Sequence, residues 1–127
     1  MRRVLIIEDD KNVRVLLRRL LERKYRMSVL EAEDGIQGME IYKKENPKMI
    51  FLDINMPNMN GMEFLTSLRS QDTETPVVVM SGFSEKDCVE KMMKLGVTDY
   101  MIKSEFILRL NGRIEGILDK NREVFSN

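Results

Sequence analysis

Five short apolar runs alternate along the chain with longer stretches whose apolar residues recur at the period of an α-helix. The runs are RVLII (3–7), VLEAE (29–33), MIFL (49–52), PVVVM (76–80) and DYMI (99–102). This alternation predicts repeated βα units, and strands that are joined through helices run parallel. Because VLII and MIFL carry no polar interruption, we expect them in the middle of the sheet, whereas the alternating VLEAE suits an edge.

The first helical stretch has a broad apolar stripe, with residues at i, i+3, i+4, i+7 and i+8. The stripe consists of Val13, Leu16, Leu17, Leu20 and Leu21. The pattern predicts that these side chains pack on the sheet. The charged residues between them are expected to face away: Arg14, Arg18, Arg19 and Glu22.

The remaining helices are predicted from residues that are typical of helix beginnings and ends. Asp34 and Asn60 are expected N-caps of helices that begin at residue 35 and near residue 61, and the former helix stops at residue 45, before a proline. The sequence SEKD (84–87) resembles a capping box, Gly96 ends that helix, and the last helix is predicted over 104–122. The chain is therefore predicted to be a doubly wound α/β protein with five helices and a five-stranded parallel sheet in the flavodoxin-like order 2-1-3-4-5.

Composition narrows the function classes. A length of 127 residues suits one domain, 1–127. The 21 basic and 21 acidic residues cancel, so the chain has no electrostatic signature of a nucleic-acid or membrane partner, and no apolar run is long enough to cross a bilayer. Cys88 is alone and His is absent, which argues against disulfides and zinc sites and favours a cytoplasmic protein.

Reactive side chains follow four of the five predicted strands. They are Glu8, Asp9 and Asp10 after the first strand, Asp53 after the third, Ser81 after the fourth and Lys103 after the fifth. Because the carboxyl ends of parallel strands share one edge, we expect these groups in a single crevice. Asp10 is interpreted as the N-cap of the first helix rather than as a metal ligand.

Three carboxylates at one edge repel one another, by about 1 to 4 kcal/mol per pair at contact, and this favours a bound cation. Oxygen ligands without His or Cys point to Mg²⁺. A carboxylate beside a divalent ion, an ammonium and a hydroxyl is suited to accept a phosphoryl group. Asp53 is the predicted acceptor because it lies mid-sheet; Glu8 and Asp9 would hold the metal, and Lys103 supplies a second positive charge.

Four motifs carry a family resemblance: LIIEDD (5–10), IFLDINMPNMNG (50–61), VVVMSG (77–82) and DYMIK (99–103). In this order and on these elements, the chain resembles the receiver domain of bacterial two-component response regulators, here a single-domain protein of the chemotaxis type. The resemblance implies a switch that accepts a phosphoryl group on Asp53 from a sensor histidine kinase or a phosphotransfer protein. Such a protein catalyses its own phosphorylation and dephosphorylation and is not an enzyme with a separate substrate.

The resemblance also implies roles for individual residues. The backbone carbonyl of Asn55 would bind Mg²⁺ together with the three carboxylates, and Lys103 would pair with the phosphoryl group. Ser81 would bond that group, and Tyr100 would turn inward as Ser81 moves. The signal would then pass to a protein partner through the face formed by helix 4, strand 5 and helix 5.

The sequence departs from the family pattern at two positions. Ser104 follows Lys103 where receivers usually have Pro, so we expect a trans bond, since a cis bond before a non-proline residue costs about 2.5 to 4 kcal/mol. Phe83 is bulky, and we expect it to cover the phosphoryl group and lengthen the phosphorylated lifetime.

Two other functions fit parts of the pattern. A Mg²⁺-dependent aspartyl-phosphate phosphatase of the haloacid dehalogenase type also uses Asp and Lys, but it needs a second Asp where this chain has Asn55. A flavin-binding module shares the strand order, but its first loop would carry Gly, Ser or Thr rather than acids. The fold does not separate these three functions, and the site residues favour the receiver.

Overall fold

A computed structural model of the chain describes residues 3–54, 60–81, 86–102, 115–117 and 119. Its strands are β1 (Arg3–Ile7), β2 (Ser28–Ala32), β3 (Met49–Asp53), β4 (Val77–Ser81) and β5 (Asp99–Ile102). Its helices are α1 (Lys11–Arg23), α2 (Gly35–Glu45), α3 (Gly61–Arg69) and α4 (Lys86–Lys94). Residues 115–117 and 119 are also helical, at the place predicted for the last helix, whose ends lie outside the described residues.

The five strands form one parallel sheet in the order β2-β1-β3-β4-β5, which confirms the predicted topology. The uninterrupted apolar strands β1 and β3 lie in the interior, and the alternating β2 lies at an edge, as expected. The observed ends of β2, β3 and β4 differ by one residue from the predicted runs, because hydrogen-bonded register rather than side-chain polarity determines where a strand ends.

Alternate residues along the strands supply two apolar layers, one on each face of the sheet. On one face α1 and residue 117 cover the side chains of Val4, Ile6, Phe51 and Met80. On the other face α2, α3 and α4 cover those of Leu5, Ile7, Leu52 and Val79. Because helices bury both faces, the reactive groups of the chain are confined to the ends of the strands.

The predicted N-caps are confirmed. Asp10 accepts a hydrogen bond from the Asn12 amide at 2.9 Å, and Asp34 accepts one from the Gln37 amide at 2.8 Å. Asn60 begins α3 in a reciprocal capping box with its N3 residue, a glutamate. For the predicted capping box at 84–87, residues 84 and 85 lie outside the described part of the chain.

The orientation of α1 differs from the prediction at two positions. Leu16, expected to face the sheet, is 42% exposed, whereas Arg14, expected to face away, is only 9% exposed. The buried face of the helix is centred on Arg14, Leu17 and Leu21, which places Leu16 at its margin. Arg14 is accommodated because β2 and the residues after it supply carboxylates to its guanidinium group.

Candidate functional site

Glu8 and Asp53 lie side by side at the carboxyl edge of the sheet. Ile7 of β1 pairs with Leu52 of β3, so the next residue on each strand carries a carboxylate at the same level. Both side chains are fully buried. Two neighbouring strands therefore deliver two acids to one point, as their sequence positions predicted.

Asp9 completes a group of three acids. Carboxylate oxygens of Glu8, Asp9 and Asp53 lie within 4.8 Å of one another, and Asp9 is exposed whereas its two neighbours are buried. Such a set of oxygen ligands, open to solvent on one side, fits a hard divalent cation that keeps part of its water shell. These are the three carboxylates that the sequence predicts as metal ligands.

The loop between β1 and α1 holds these acids in a defined conformation. The amide of Asp10 donates to Oε2 of Glu8 at 3.2 Å, and the amide of Glu8 extends the sheet by donating to the carbonyl of Ala32 at 3.0 Å. The Asp10 side chain caps α1 and lies outside the three-acid group, which supports its interpretation as an N-cap.

Gly61 brings the start of α3 against the acceptor strand. Its amide donates to the carbonyl of Ile54 at 3.1 Å, which joins the end of β3 to the start of α3. A Cβ atom at position 61 would lie 2.5 Å from the backbone oxygen of Asp53 and from the Cα of Ile54. Since real Cβ contacts are longer than this, only glycine fits here without a backbone shift.

Ser81 and Tyr100 lie where the sequence predicted them. Ser81 is the last residue of β4, is buried, and follows Met80, the register partner of Asp53. Tyr100 is a half-buried residue of β5 that pairs with Val79. Ser81 is on β4, which is next to β3, and Tyr100 is on β5, which is next to β4. Both residues therefore lie on the side of β3 away from β1.

Four sequence predictions fall on residues outside the described part of the chain. Asn55, the expected carbonyl ligand, follows β3 in the sequence, and Phe83, the expected cover, follows β4. Lys103 follows the last residue of β5, and the predicted trans bond joins it to Ser104.

Arg14 is a neighbour of the site that the sequence pattern misassigned. Its Nη1 donates to the backbone oxygen of Glu8 at 2.8 Å, and its Nε donates to Oε1 of Glu31 at 3.0 Å. The signal in the sequence was the pair of acids in and after β2, Glu31 and Glu33, of which the half-buried Glu31 favours a cation nearby.

Comparison with known families decides between the functions that share this fold. A model of the response regulator receiver domain matches residues 4–115, which includes all the acids of the site and Ser81 and Lys103. The chain belongs to this family. Receiver domains are signalling modules of two-component systems, and they bind Mg²⁺ at an acidic pocket and interact with histidine kinases and downstream effectors.

Curated relatives include regulators that are longer than this receiver domain. The transcriptional regulatory protein PrrA of Mycobacterium tuberculosis is 34% identical over 116 residues, which is 91% of this chain and 49% of that protein. The protein CcdB of Bacillus subtilis is 33% identical over 103 residues, 81% of this chain and 86% of that protein. The chain thus spans about half the length of PrrA and most of CcdB.

Solved structures show the same fold. The phosphorylated cyanobacterial phytochrome response regulator RcpA is 27% identical and superposes with a TM-score of 0.80 over 93% of this chain and 91% of that chain. The Mn²⁺-bound form of the response regulator Rcp1 is 26% identical, with a TM-score of 0.80 over 93% and 92%. Among the helices of the receiver domain that the structure describes, none combines the length and apolar character needed to cross a membrane.

Proposed function

We propose that this receiver domain is a phosphorylation-dependent switch whose acceptor is Asp53. The donor is the phosphohistidine of a sensor histidine kinase or phosphotransfer protein, and Mg²⁺ is the required cation. The observation that carries the proposal is the convergence of three carboxylates, from Glu8, Asp9 and Asp53, within 4.8 Å at the carboxyl edge of the sheet. Receiver-family membership and the existence of a phosphorylated relative of the same fold support it.

The residues of the site have different roles in the proposed phosphoryl transfer. A carboxylate oxygen of Asp53 attacks the phosphorus, the P–N bond to the donor imidazole breaks, and the imidazole leaves with a proton from solvent. Glu8 and Asp9 would hold the metal with Asp53 and the Asn55 carbonyl. When bound there, the ion would offset charge on the transferring oxygens and the mutual repulsion of the acids.

Ser81 and Lys103 are proposed to stabilise the phosphorylated state. Ser81 is buried one register position beyond the partner of Asp53, so its hydroxyl is near enough to respond to a group on the acceptor. Lys103 directly follows Ile102, the register partner of Ser81. The ammonium of Lys103 would offset the charge of the phosphoryl oxygens, and the hydroxyl of Ser81 would donate a hydrogen bond to them.

The output is proposed to pass through helix 4, strand 5 and helix 5 to a protein partner in the cytoplasm. Tyr100 is half-buried on β5 and packs against the apolar layer that α4 helps to cover. A half-buried aromatic residue can adopt an inner and an outer position that differ little in free energy, so the movement of Ser81 toward a phosphoryl group can bias it.

Intact mass after incubation with acetyl phosphate and Mg²⁺ tests the proposed acceptor. We expect one added phosphoryl group, about 80 Da, on the wild-type chain and none on Asp53→Asn, because an amide cannot form the acyl phosphate. Asp10→Asn is the matched control, since it removes a neighbouring carboxylate but keeps a good N-cap, and it should be phosphorylated normally. Failure of the wild-type chain to gain mass with this donor and with a phosphohistidine donor would refute the proposal.

A further inference from the structure

The backbone of Glu8 is held by hydrogen bonds to β2 on one side and to α1 on the other. Its amide donates to the carbonyl of Ala32 at 3.0 Å, and its own carbonyl accepts from Nη1 of Arg14 at 2.8 Å. The same residue also accepts the Asp10 amide on its carboxylate. Glu8 is thus fixed by hydrogen bonds at its amide, its carbonyl and its side chain. In these three bonds the partners are two backbone groups and one side chain, that of Arg14.

Arg14 is in turn held by acids that take no part in the three-acid group. Its Nε lies 3.0 Å from Oε1 of Glu31, on β2, and its Nη2 lies 3.8 Å from Oε1 of Glu33. The Arg14 side chain is only 11% exposed, so the guanidinium group has little freedom to leave this arrangement. Strand β2, which supplies no reactive group, therefore anchors the loop that carries Glu8 and Asp9.

We propose that Arg14 is a positioning residue of the metal site, acting through the backbone carbonyl of Glu8. This inference rests on the proposed function, because it assumes that Glu8 and Asp9 bind the cation. The guanidinium group bridges β2 and the β1–α1 loop with a planar fork of donors, which a lysine cannot reproduce. With the bridge intact the two carboxylates are pre-organised for the cation; without it they lose affinity although every ligand remains present.

Arg18 provides a matched control one helical turn further along α1. It donates to Oε2 of the same Glu31 at 2.7 Å and pairs with Glu22 at 3.2 Å, but none of its bonds in the described structure reaches Glu8. Replacing either arginine by methionine removes one positive charge from the same cluster of acids. A difference between the two variants therefore reports the bond to Glu8 and not the loss of charge.

Titration with Mn²⁺, followed by the electron paramagnetic resonance signal of the free ion, measures this effect without phosphorylation. We expect Arg14→Lys and Arg14→Met to raise the Mn²⁺ dissociation constant about tenfold or more, the range typical of residues that orient metal ligands. Arg18→Met should stay within about twofold of wild type, because it leaves the carbonyl of Glu8 bonded. Circular dichroism at the same temperature gives the folded fraction of each variant. Each dissociation constant is calculated from the concentration of folded protein.

Three results would overturn the inference. Wild-type affinity in the folded fraction of both Arg14 variants would show that the bridge does not position the ligands. Equal weakening in the Arg14 and Arg18 variants would assign the effect to charge. Absence of Mn²⁺ binding to the wild-type chain would reject the proposed metal site itself, and with it this inference.

Should the Arg14 variants not fold, Glu31→Gln tests the same bridge from its other end. It keeps a hydrogen-bond acceptor for Arg14 but weakens the anchor, so we expect Mn²⁺ affinity to fall in the same direction by a smaller factor. Glu22→Gln is its control, because it disturbs Arg18 alone. Unchanged affinity in Glu31→Gln, beside a Glu22→Gln variant of wild-type affinity, contradicts the proposal.

Discussion

Gly61 shows how a single missing side chain allows the acceptor strand and a helix to meet. The start of α3 lies so close to β3 that an added methyl group would fall 2.5 Å from the Asp53 carbonyl oxygen, a backbone atom that cannot move alone. By contrast, a methyl group on Gly116 would meet no atom of the described residues within 4 Å, apart from its chain neighbours and the backbone of its own helix. The two glycines therefore differ in what they do, although both are assigned to helices.

We predict opposite effects of alanine at these two positions. Gly61→Ala should lower the free energy of unfolding by about 1 to 3 kcal/mol, the usual cost of overpacking. Gly116→Ala should raise it by up to about 1 kcal/mol, because alanine is the better helix former and the space is open. Urea unfolding of both variants measures the difference, and equal effects would contradict the close approach of α3 to Asp53.

Asp72 is a second residue whose environment changes its chemistry. Burial alone would raise its pKa, but hydrogen bonds from the side chains of Thr75 and Tyr42 and from two backbone amides hold the pKa of the Asp72 carboxyl well below its usual range. Conversely, burial and the bond to Asp72 raise the pKa of Tyr42 to about 12. The carboxylate form is therefore the one that stabilises this turn.

We predict that Asp72→Asn lowers the free energy of unfolding at neutral pH by about 1 to 3 kcal/mol, since bonds to a charged acceptor are replaced. A folded-state pKa below the unfolded value of about 3.9 means that the carboxylate's contribution is complete above that pH and is lost as the pH falls below it. The difference between wild type and variant should therefore shrink on acidification. Urea unfolding at a series of pH values checks this, and a constant difference would count against the assigned bonds.

At the scale of elements, Arg69 fastens the end of α3 to the turn after α4. Its guanidinium group donates to the carbonyls of Leu95 at 2.6 Å and Gly96 at 3.0 Å, and to those of Asp72 and Thr75, both at 2.9 Å. Burial lowers the pKa of Arg69 below the ordinary arginine value. These bonds lie at the amino edge of the sheet, opposite the site, and hold the C-terminal end of α4 in place.

We predict that Arg69→Lys costs about 2 to 3 kcal/mol of unfolding free energy, because an ammonium cannot serve carbonyls spread in a plane. The exposed Arg19, at the surface of α1, is the matched control, and Arg19→Lys should change stability by less than about 0.5 kcal/mol. Hydrogen exchange should speed up at the amides of Gly96 and Val97 in Arg69→Lys only. Unchanged exchange there would show that the arginine does not fasten α4.

At the scale of the whole molecule, the three carboxylates of the site lower the free energy of unfolding. The side chains of Glu8 and Asp53 are fully buried, that of Asp9 is exposed, and the three carboxylates meet at the edge of the sheet. Their repulsion is an unfavourable contribution that the two apolar layers must offset. A cation that binds the folded chain alone would recover part of this free energy.

We predict that Asp9→Asn stabilises the metal-free protein by about 1 kcal/mol. This is the lower end of the range of about 1 to 4 kcal/mol for a pair of carboxylates in contact, because Asp9 is exposed. In Mg²⁺ at ten times its dissociation constant the wild type should gain about 1.4 kcal/mol, and the variant less at the same concentration. Thermal melts in EDTA and in Mg²⁺ compare the two, with Asp10→Asn as a control that keeps its N-cap. A less stable Asp9→Asn variant in EDTA would contradict the repulsion.

Much of this molecule follows from local pattern. Period-2 and period-3.6 hydrophobicity predicted the elements, uninterrupted apolar runs identified the interior strands, and Asp10, Asp34 and Asn60 were recognised as N-caps. Parallel topology then places Glu8, Asp9, Asp53 and Ser81 at one edge. These features depend on residues near one another in sequence or on a general rule of parallel sheets, so the sequence alone determined them.

The tertiary structure alone decided the features that need two distant segments. Arg14 looks like a solvent-facing residue on a helical wheel, and it is buried because Glu31, 17 positions away, lies beside it in the folded chain. The need for glycine at position 61 and the four carbonyls around Arg69 likewise come from contacts between separate elements. A buried charge or a missing Cβ is stable only if its partner is at the right distance, and that distance is set by the packing of the whole sheet rather than by local sequence.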